Sequence, residues 1–115
     1  MNDIRIRKTN WAQDRESLSA IRRRVFVDEQ HVPENIEWDG QDDEGIHFLA
    51  TDADGAAIGG VRLLPNGQIS RLCVAEDRRS EGIGRRLLDA AAEEARLRRL
   101  REIFLHAQTH ATSFY

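Results

Sequence analysis

Two glycines and several arginines lie between residues 78 and 86, directly after an apolar stretch, and they are suited to binding a diphosphate. The segment is Arg78-Arg-Ser-Glu-Gly-Ile-Gly-Arg-Arg86. An apolar repeat starting at Ile83 predicts that a helix begins near Gly82. The first N–H groups of a helix have no partner within it and lie at the positive end of its dipole. Glycine lets a phosphate approach these amides closely, and arginines add positive charge, so the segment predicts a phosphate-binding loop.

Two common nucleotide-binding motifs do not fit this loop. A Walker A motif is excluded because no Gly-Lys-Ser/Thr follows, and GxGxxG is excluded because Leu87 occupies its third glycine position. The pattern Arg79-x-x-Gly82-x-Gly84 is instead similar to the (Gln/Arg)xxGxGly/Ala signature of the GNAT N-acetyltransferases. On the motif alone, a glycine-rich helix start that binds no ligand is the alternative interpretation.

The resemblance to GNAT proteins extends over nearly the whole chain. Ile69–Val74 resembles the central strand of the family, and Gln108-x-x-Ala-x-x-Phe-Tyr115 is similar to its Asn-x-x-Ala-x-x-Phe/Leu-Tyr segment. Upstream, the run Arg22–Gln30 followed by Glu37-Trp-Asp-Gly40 and Asp42 is similar to the ElaA-like subgroup of small bacterial GNAT proteins. The resemblance implies an acetyl-CoA-dependent N-acyltransferase that acts on the amine of a small molecule or peptide.

The same resemblance implies roles for individual residues. Those implied to bind the cofactor are Leu72, Cys73 and Val74, through their backbone to the pantetheine arm, and Arg79, Ser80, Glu81, Gly82, Ile83, Gly84 and Arg85, through their amides to the pyrophosphate. Gln108 stands where the family usually has an asparagine that contacts the cofactor arm. Tyr115 matches the tyrosine that protonates the departing thiolate as general acid.

The reaction implied is direct attack of a neutral amine on the thioester in a ternary complex. A main-chain N–H near Val74 would polarise the carbonyl. The general base is not identified, because Ile69 occupies the position where some relatives carry a glutamate. Other proton acceptors that the sequence offers are Glu29, Glu37, His47, His106 or a water chain. A coenzyme A-binding module without catalysis is the alternative function, and a relation to acyl-homoserine-lactone synthases is supported by the Arg-x-x-Val-Phe stretch alone.

Arg71, Cys73 and two histidines carry weaker signals. Arg71 is expected to share a strand face with Ile69 and Cys73, where it either binds a carboxylate or phosphate of the acceptor substrate or forms a structural ion pair. Cys73 lies among apolar residues, which favours a buried hydrophobic residue over a nucleophile. His106 and His110 are four residues apart but have no third ligand nearby, so no metal is expected.

The elements that must position these residues are predicted from hydrophobic periodicity. Strands are expected at residues 3–8, 46–52, 57–64, 68–75 and 102–108, and helices at 14–28, 82–99 and from 111 onward. Gly59-Gly60 inside a strand predicts a bulge or a close backbone approach. The order β-α-β-β-β-α-β-α predicts an α/β fold, a GNAT-like mixed sheet flanked by helices, without the last strands of the family.

Two charged segments are expected to lie in solvent. The stretch His31–Gly45 predicts a long surface loop, with or without a turn of helix. Its acidic run Glu34–Glu44 is either merely solvated or attracts a cationic amine. Arg22, Arg23 and Arg24 are expected mostly on the wet side of the first helix. A second arginine-rich surface is expected at Arg96–Arg101. Neither surface carries the interleaved aromatic residues typical of RNA binding.

Composition predicts one domain spanning residues 1–115. The chain is 40% hydrophobic and 32% charged with a net charge of −3, which indicates a globular protein and no nucleic-acid or membrane partner. A single cysteine excludes an internal disulfide, and the absence of a long apolar run leads us to expect a cytoplasmic protein. Because relatives continue past the tyrosine with two more strands, the strand at 102–108 is expected to be an exposed edge and the chain to self-associate as a dimer.

Overall fold

The computed structural model describes residues 4–105. In chain order the elements are β1 (Arg5–Thr9), α1 (Trp11–Arg22), a π-helical segment (Arg23–Glu29), α2 (Glu34–Glu37), a 3-10 turn (Asp42–Glu44), β2 (Ile46–Thr51), β3 (Ala57–Leu63), β4 (Gln68–Val74), a second 3-10 turn (Glu76–Arg78), α3 (Ile83–Leu97) and β5 (Phe104–Leu105). The predicted strands and helices are thus present in this range. The predicted helix from residue 111 lies outside the described residues, as does the end of the last predicted strand. Between residues 4 and 105 no helix is long and apolar enough to cross a bilayer.

The five strands form one mixed sheet in the order β1-β2-β3-β4-β5. Neighbouring strands from β1 to β4 are antiparallel, whereas β5 runs parallel to β4. Helix α3 connects these two parallel strands, as a parallel connection requires. The predicted mixed α/β architecture is therefore confirmed.

Helices cover both faces of the sheet. The predicted apolar stripe of α3 is buried on one face, where Ile83, Leu87, Ala91 and Ala95 pack against residues of β2, β3 and β4. On the other face Ile21, Val25 and Phe26 pack against Val32, Cys73 and Ala75. Full burial of one side chain such as Leu87 contributes roughly 1.5–3 kcal/mol, so these stripes hold the helices on the sheet.

Helix α1 begins three residues earlier than the periodicity predicts. Asn10 precedes the helix with an extended backbone, and its side-chain oxygen accepts a hydrogen bond of 2.8 Å from the amide of Gln13. An asparagine in this position satisfies one of the free amides of the first turn. The cap therefore stabilises a first turn, and the non-helical backbone of Asp14 (φ −122°, ψ 28°) separates this turn from the rest of α1 near the predicted start.

The pairing of β3 with β4 is interrupted near their middle. Gly60 pairs with Cys73 and Arg62 with Ser70, so β4 has one residue more than β3 between the two pairs. The two glycines predicted a bulge inside β3, and β3 has one beside them: Ala50 pairs with Gly59 and Thr51 with Ala57, so β3 has one residue more than β2 there. The bulge in β4 opposite β3 was not predicted. The predicted close approach is also present, because a Cβ atom on Gly59 would lie 2.8 Å from the carbonyl oxygen of Cys73.

The bulge in β4 overturns one expectation about side-chain direction. Ile69 packs with Leu72 and Val74 in one core cluster, whereas Cys73 belongs to the cluster on the opposite face. The prediction that Arg71 shares a face with both Ile69 and Cys73 is wrong. An additional residue in a strand shifts the alternation of side chains by one position, and strict alternation does not anticipate it.

Candidate functional site

A cleft of about 450 Å³ lies between the end of β4 and the beginning of α3. Its lining includes most of the residues implied to bind the cofactor, together with two neighbours: Leu72, Val74, Arg78, Arg79, Ser80, Gly82, Ile83, Gly84, Arg85 and Leu88. The side chains of Leu72 and Val74 form an apolar wall, and the loop before α3 forms a polar end. A ligand with an apolar arm and a charged end would match this division.

The loop that ends in α3, residues 79–85 and hereafter the phosphate loop, presents backbone amides to the cleft. Ser80 and Gly82 have φ angles of 75° and 78°, and no side chain caps α3. A Cβ atom on Gly82 would find nothing within 4 Å, so the space in front of this residue is open. The first amides of α3 have no acceptor within the helix, which makes its start a site for an anion.

The arginines around the cleft are paired with carboxylates. Arg79 forms a two-fold ion pair with Glu29 at 2.6 and 2.7 Å, and its Nε donates to the carbonyl oxygen of Val74 at 3.1 Å. Arg85 pairs with Asp89 at 3.0 Å. The guanidinium of Arg79 therefore ties the phosphate loop to β4 and to the π-helical segment.

Glu81 does not line the cleft. It is exposed, and its carboxylate accepts hydrogen bonds of 3.0 and 3.3 Å from Arg78, which does line it. Its side chain therefore holds an arginine at the rim of the cleft. The role predicted for its amide stays a prediction.

The side chain of Cys73 lies on the opposite face of the sheet from those of Leu72 and Val74. Its side chain is 2% exposed and packs in the cluster that contains Val25 and Phe26. Burial raises the pKa of the thiol to about 12, so the thiol is protonated at neutral pH. The nucleophile interpretation has no support in this environment, and Cys73 does not line the cleft. The backbone contact predicted for Cys73 stays a prediction.

Six charged side chains form a cluster in the interior, hereafter the buried ion cluster. Its members are Arg22, Arg62 and Arg71 with Glu37, Asp39 and Asp42, three positive and three negative groups. Arg22 and Arg62 are each 1% exposed. Arg22 reaches Glu37 and Asp42 at 2.6 Å, and Arg62 reaches both oxygens of Asp39 at 2.9 Å.

The buried ion cluster corrects two expectations. Arg22 does not lie on the wet side of its helix, and the acidic segment is not simply a solvated loop, because Glu37 and Asp42 are buried. Arg22 also lies over the rings of Trp11 and Trp38, with 5.3 and 5.1 Å between its Cζ atom and the ring centroids. A buried charge requires a partner of the opposite sign, and the arginines and carboxylates of the cluster provide such partners for one another.

The protonation states of the cluster follow from these contacts. Although burial acts in the opposite direction, the hydrogen bonds from Arg62 lower the pKa of Asp39 to about 2. The Nε2 atom of His47 lies 3.1 Å from the carbonyl oxygen of Asp42. Burial lowers the pKa of His47, so this ring is neutral at pH 7.

Three of the candidate general bases lie within the described residues, and their side chains make contacts outside the cleft. Hydrogen bonds from Arg79 lower the pKa of Glu29, which makes it a weaker base. Glu37 is buried, and its two carboxylate oxygens face Arg22 and Arg71 at 2.6 and 3.1 Å. His47 contacts Asp42 and the ring of Trp11. None of these three side chains lines the cleft, and the fourth candidate, His106, lies outside the described residues.

The guanidinium of Arg71 binds the segment that precedes β2. Its Nη2 donates to the carbonyl oxygens of Ile36 and Glu37 at 3.1 Å, and it pairs with Asp39 at 3.2 Å. This is the structural ion pair that the sequence left as an alternative. A direct contact of Arg71 with an acceptor substrate stays a prediction, and Gln108, Tyr115, His106 and His110 lie outside the described residues.

Sequence reasoning missed the buried roles of Arg22 and Arg62. Arg62 carried a signal, because it is a single charged residue inside an otherwise apolar strand. The acids at positions 37, 39 and 42 surround a tryptophan, which is unusual for a purely solvated segment. Together these features indicate charge burial, although they do not identify which residues pair.

The chain resembles acetyltransferases in sequence and in structure. The acetyltransferase (GNAT) domain family matches residues 12–115. The uncharacterized N-acetyltransferase YjcF of Bacillus subtilis (strain 168) is 32% identical over 97 residues, which are 83% of this chain and 69% of YjcF. Escherichia coli ElaA aligns with a TM-score of 0.79 at 25% identity, covering 97% of this chain and 83% of ElaA.

A second solved structure agrees with this assignment. An acyl-CoA N-acyltransferase from Pseudomonas aeruginosa aligns with a TM-score of 0.79 at 28% identity, covering 97% of this chain and 84% of that one. The family match spans most of the chain, and it includes the cleft between β4 and α3. The chain therefore belongs to the GNAT acetyltransferase family, and it is an N-acetyltransferase.

Proposed function

We propose that this enzyme transfers an acetyl group from acetyl-CoA to the amine of a small molecule, with the cofactor bound in the cleft between β4 and α3. The observation that carries the proposal is the open, glycine-bearing start of α3 at the end of β4, whose outer edge after Ile69 has no partner strand within residues 4–105. A diphosphate needs several backbone amides and positive charge, and this loop offers both.

The pantetheine arm is proposed to lie along the outer edge of β4. Within the described residues, β5 pairs with β4 only at Gln68 and Ile69, so the rest of that edge has no partner strand there. On the opposite edge, the amide of Ala75 donates to the carbonyl oxygen of Ile58 at 2.8 Å. Because successive amides of a strand point to alternate edges, the N–H of Val74 is directed toward the open edge.

This direction suits the chemistry of acyl transfer. The amine nitrogen attacks the thioester carbonyl, the N–H of Val74 stabilises the oxyanion that develops, and the carbon–sulfur bond then breaks. Tyr115 is proposed to protonate the leaving thiolate, and water accepts the proton of the amine. Gln108 is proposed to contact the cofactor arm. Cys73 pairs with Gly60 on the opposite edge, so Leu72 and Val74 carry most of the backbone contact.

Titration calorimetry with coenzyme A on the whole chain tests the cofactor site. A carboxylate placed at Gly82 would face the diphosphate, repel it and weaken its contacts with the backbone amides. Gly82→Asp is therefore expected to lower the affinity for coenzyme A about 100-fold. Gly82→Asn is the matched control. Asparagine has the same shape as aspartate but no charge, and both residues adopt a positive φ more easily than other residues that carry a side chain.

The difference between the two variants measures the effect of charge alone. Affinity that is equal in Gly82→Asp and Gly82→Asn would place the diphosphate elsewhere. Turnover is then tested by mixing the enzyme with acetyl-CoA and each amine of a panel and measuring the release of free thiol. Binding of coenzyme A without thiol release from any amine would favour a module that binds the cofactor without catalysis.

A further inference from the structure

Arg71 adopts a backbone conformation that a strand normally excludes. It has a φ of 57°, and it lies in the bulge where β4 has its additional residue opposite β3. Left-handed backbone is unfavourable for an arginine, and such a residue persists only where its surroundings hold it in place. In this position the side chain is 9% exposed.

The guanidinium supplies the contacts that hold it. Its donors reach two consecutive carbonyl oxygens, of Ile36 and Glu37, and it pairs with the carboxylates of Glu37 at 3.1 Å and Asp39 at 3.2 Å. These four acceptors come from one short segment, residues 36–39.

That segment is itself fixed by two further arginines. Arg22 binds Glu37 at 2.6 Å, and Arg62 binds Asp39 at 2.9 Å through two hydrogen bonds. The bulge is therefore tied through Arg71 to an anchored segment rather than to a mobile surface.

The residues that follow the bulge are those expected to meet the cofactor. Leu72 is adjacent to Arg71, and both Leu72 and Val74 line the cleft. If residue 71 returned to ordinary extended backbone, the alternation of β4 would shift by one position, and Leu72 and Val74 would turn away from the cleft.

We infer that Arg71 is a positioning residue for the cofactor: its guanidinium holds the bulge that directs Leu72 and Val74 toward the pantetheine arm. This inference depends on the proposed function, because it needs the cofactor to lie along β4. It assigns a role in cofactor binding to the acidic segment and to the buried ion cluster, although neither lines the cleft.

Two substitutions separate the backbone role from the side-chain contacts. Arg71→Ala and Arg71→Gly both remove the guanidinium, but only glycine adopts a positive φ without cost. We expect Arg71→Ala to weaken coenzyme A binding about tenfold, whereas Arg71→Gly recovers most of that loss. Unfolding curves of both variants are the control that tests whether they are folded at the temperature of the calorimetry.

Two probes test where the effect acts. Coenzyme A carries the pantetheine arm, whereas adenosine 3′-phosphate 5′-diphosphate carries only the phosphates and the nucleoside. Arg71→Ala is expected to weaken binding of the first much more than binding of the second, because the ion pair between Arg79 and Glu29 still holds the phosphate loop when β4 shifts. Equal weakening of both probes would indicate a general structural defect and overturn the inference.

The remaining outcomes are also decisive. Arg71→Ala that binds coenzyme A like the wild type overturns the positioning role and leaves the cofactor site intact. Arg71→Gly as weak as Arg71→Ala would show that the loss does not come from the backbone conformation at residue 71, which also overturns the inference. Failure of the proposed function looks different, because the wild-type chain itself would then not bind coenzyme A.

Discussion

The phosphate loop and the buried ion cluster are both rich in arginine, but they use it in opposite ways. In the cluster, Arg22 and Arg62 are 1% exposed and reach carboxylates on two neighbouring segments. At the loop, Arg85 is 79% exposed at its side chain and pairs with Asp89 one turn along the same helix. The cluster has exchanged water for protein partners, whereas Arg85 keeps its charge in water.

This difference determines what each region can do. A buried guanidinium without a partner is strongly unfavourable, so the cluster contributes to the fold and has no free charge for a ligand. An exposed ion pair is worth little and is easily exchanged for another anion. We therefore expect substitutions in the cluster to lower stability and substitutions at the loop to lower affinity.

The largest effect is expected from Arg62→Met. This change leaves Asp39 without its two-fold partner and removes one of the two arginines that bind Asp42. Removing one partner of a buried ion pair typically costs about 3–5 kcal/mol in the free energy of unfolding. Urea denaturation monitored by circular dichroism measures the loss.

A conservative variant keeps this prediction testable if Arg62→Met does not fold. Arg62→Lys retains the charge but not the planar fork, so it should lie between the wild type and Arg62→Met. A loss below about 1 kcal/mol in Arg62→Met would mean that the cluster behaves like a surface ion pair.

An intermediate effect is expected from the titration of Asp39. Its pKa falls from an ordinary 3.8 to about 2 in the folded chain, which corresponds to roughly 2 kcal/mol of stability. Because the folded pKa is the lower one, this stability is fully present above pH about 4 and is lost as the pH falls from about 4 toward 2. Unfolding free energies measured against pH should show this loss in the wild type.

Asp39→Asn is the reference for that measurement. Other carboxylates titrate in both proteins, so the difference between the two curves isolates Asp39. We expect this difference to be constant near neutral pH and to shrink toward pH 2. A difference that does not change between pH 5 and pH 2 would contradict the lowered pKa of Asp39.

The smallest change in stability is expected from Arg85→Gln. Its ion pair is exposed, so the free energy of unfolding should change by less than about 0.5 kcal/mol. Affinity for coenzyme A should nevertheless fall roughly two- to threefold at low salt, and less at high salt, because the lost charge lies at the cleft.

Arg96→Gln is a matched control for Arg85→Gln. Arg96 lies on the same helix, is similarly exposed and pairs with Glu93, but it does not line the cleft. It should leave both stability and affinity unchanged. Equal losses of affinity in the two variants would show that the effect of Arg85 is not local to the cleft.

Much of the fold was predictable because it depends on local pattern. The apolar stripe from Ile83 to Ala95 and the strand at 46–52 follow from periodicity, and the structure contains both. The same holds for the glycine-bearing loop, since its spacing is a local property. The early start of α1 at Asn10 was not predicted, although a capping asparagine is also a local signal.

The buried ion cluster was not predictable in the same way. Arg22, Arg62 and Asp42 are separated by 20 to 40 positions, and no periodicity connects them. Their burial depends on which strand and which segment meet in space. The solvated interpretation of the acidic segment was reasonable from composition and wrong for Glu37 and Asp42 because their partners come from elsewhere in the chain.

By itself, the sequence determined the order of the elements and the position of the glycine-bearing loop before α3, because short-range spacing and backbone preference act within a few residues. Only the tertiary structure decided which arginines are structural and which remain available. It also decided the direction of Leu72 and Val74, because the bulge at Arg71 depends on carbonyl oxygens some 35 residues earlier in the chain. Charge burial and strand register are set by contacts between distant segments, and those contacts form only in the folded domain.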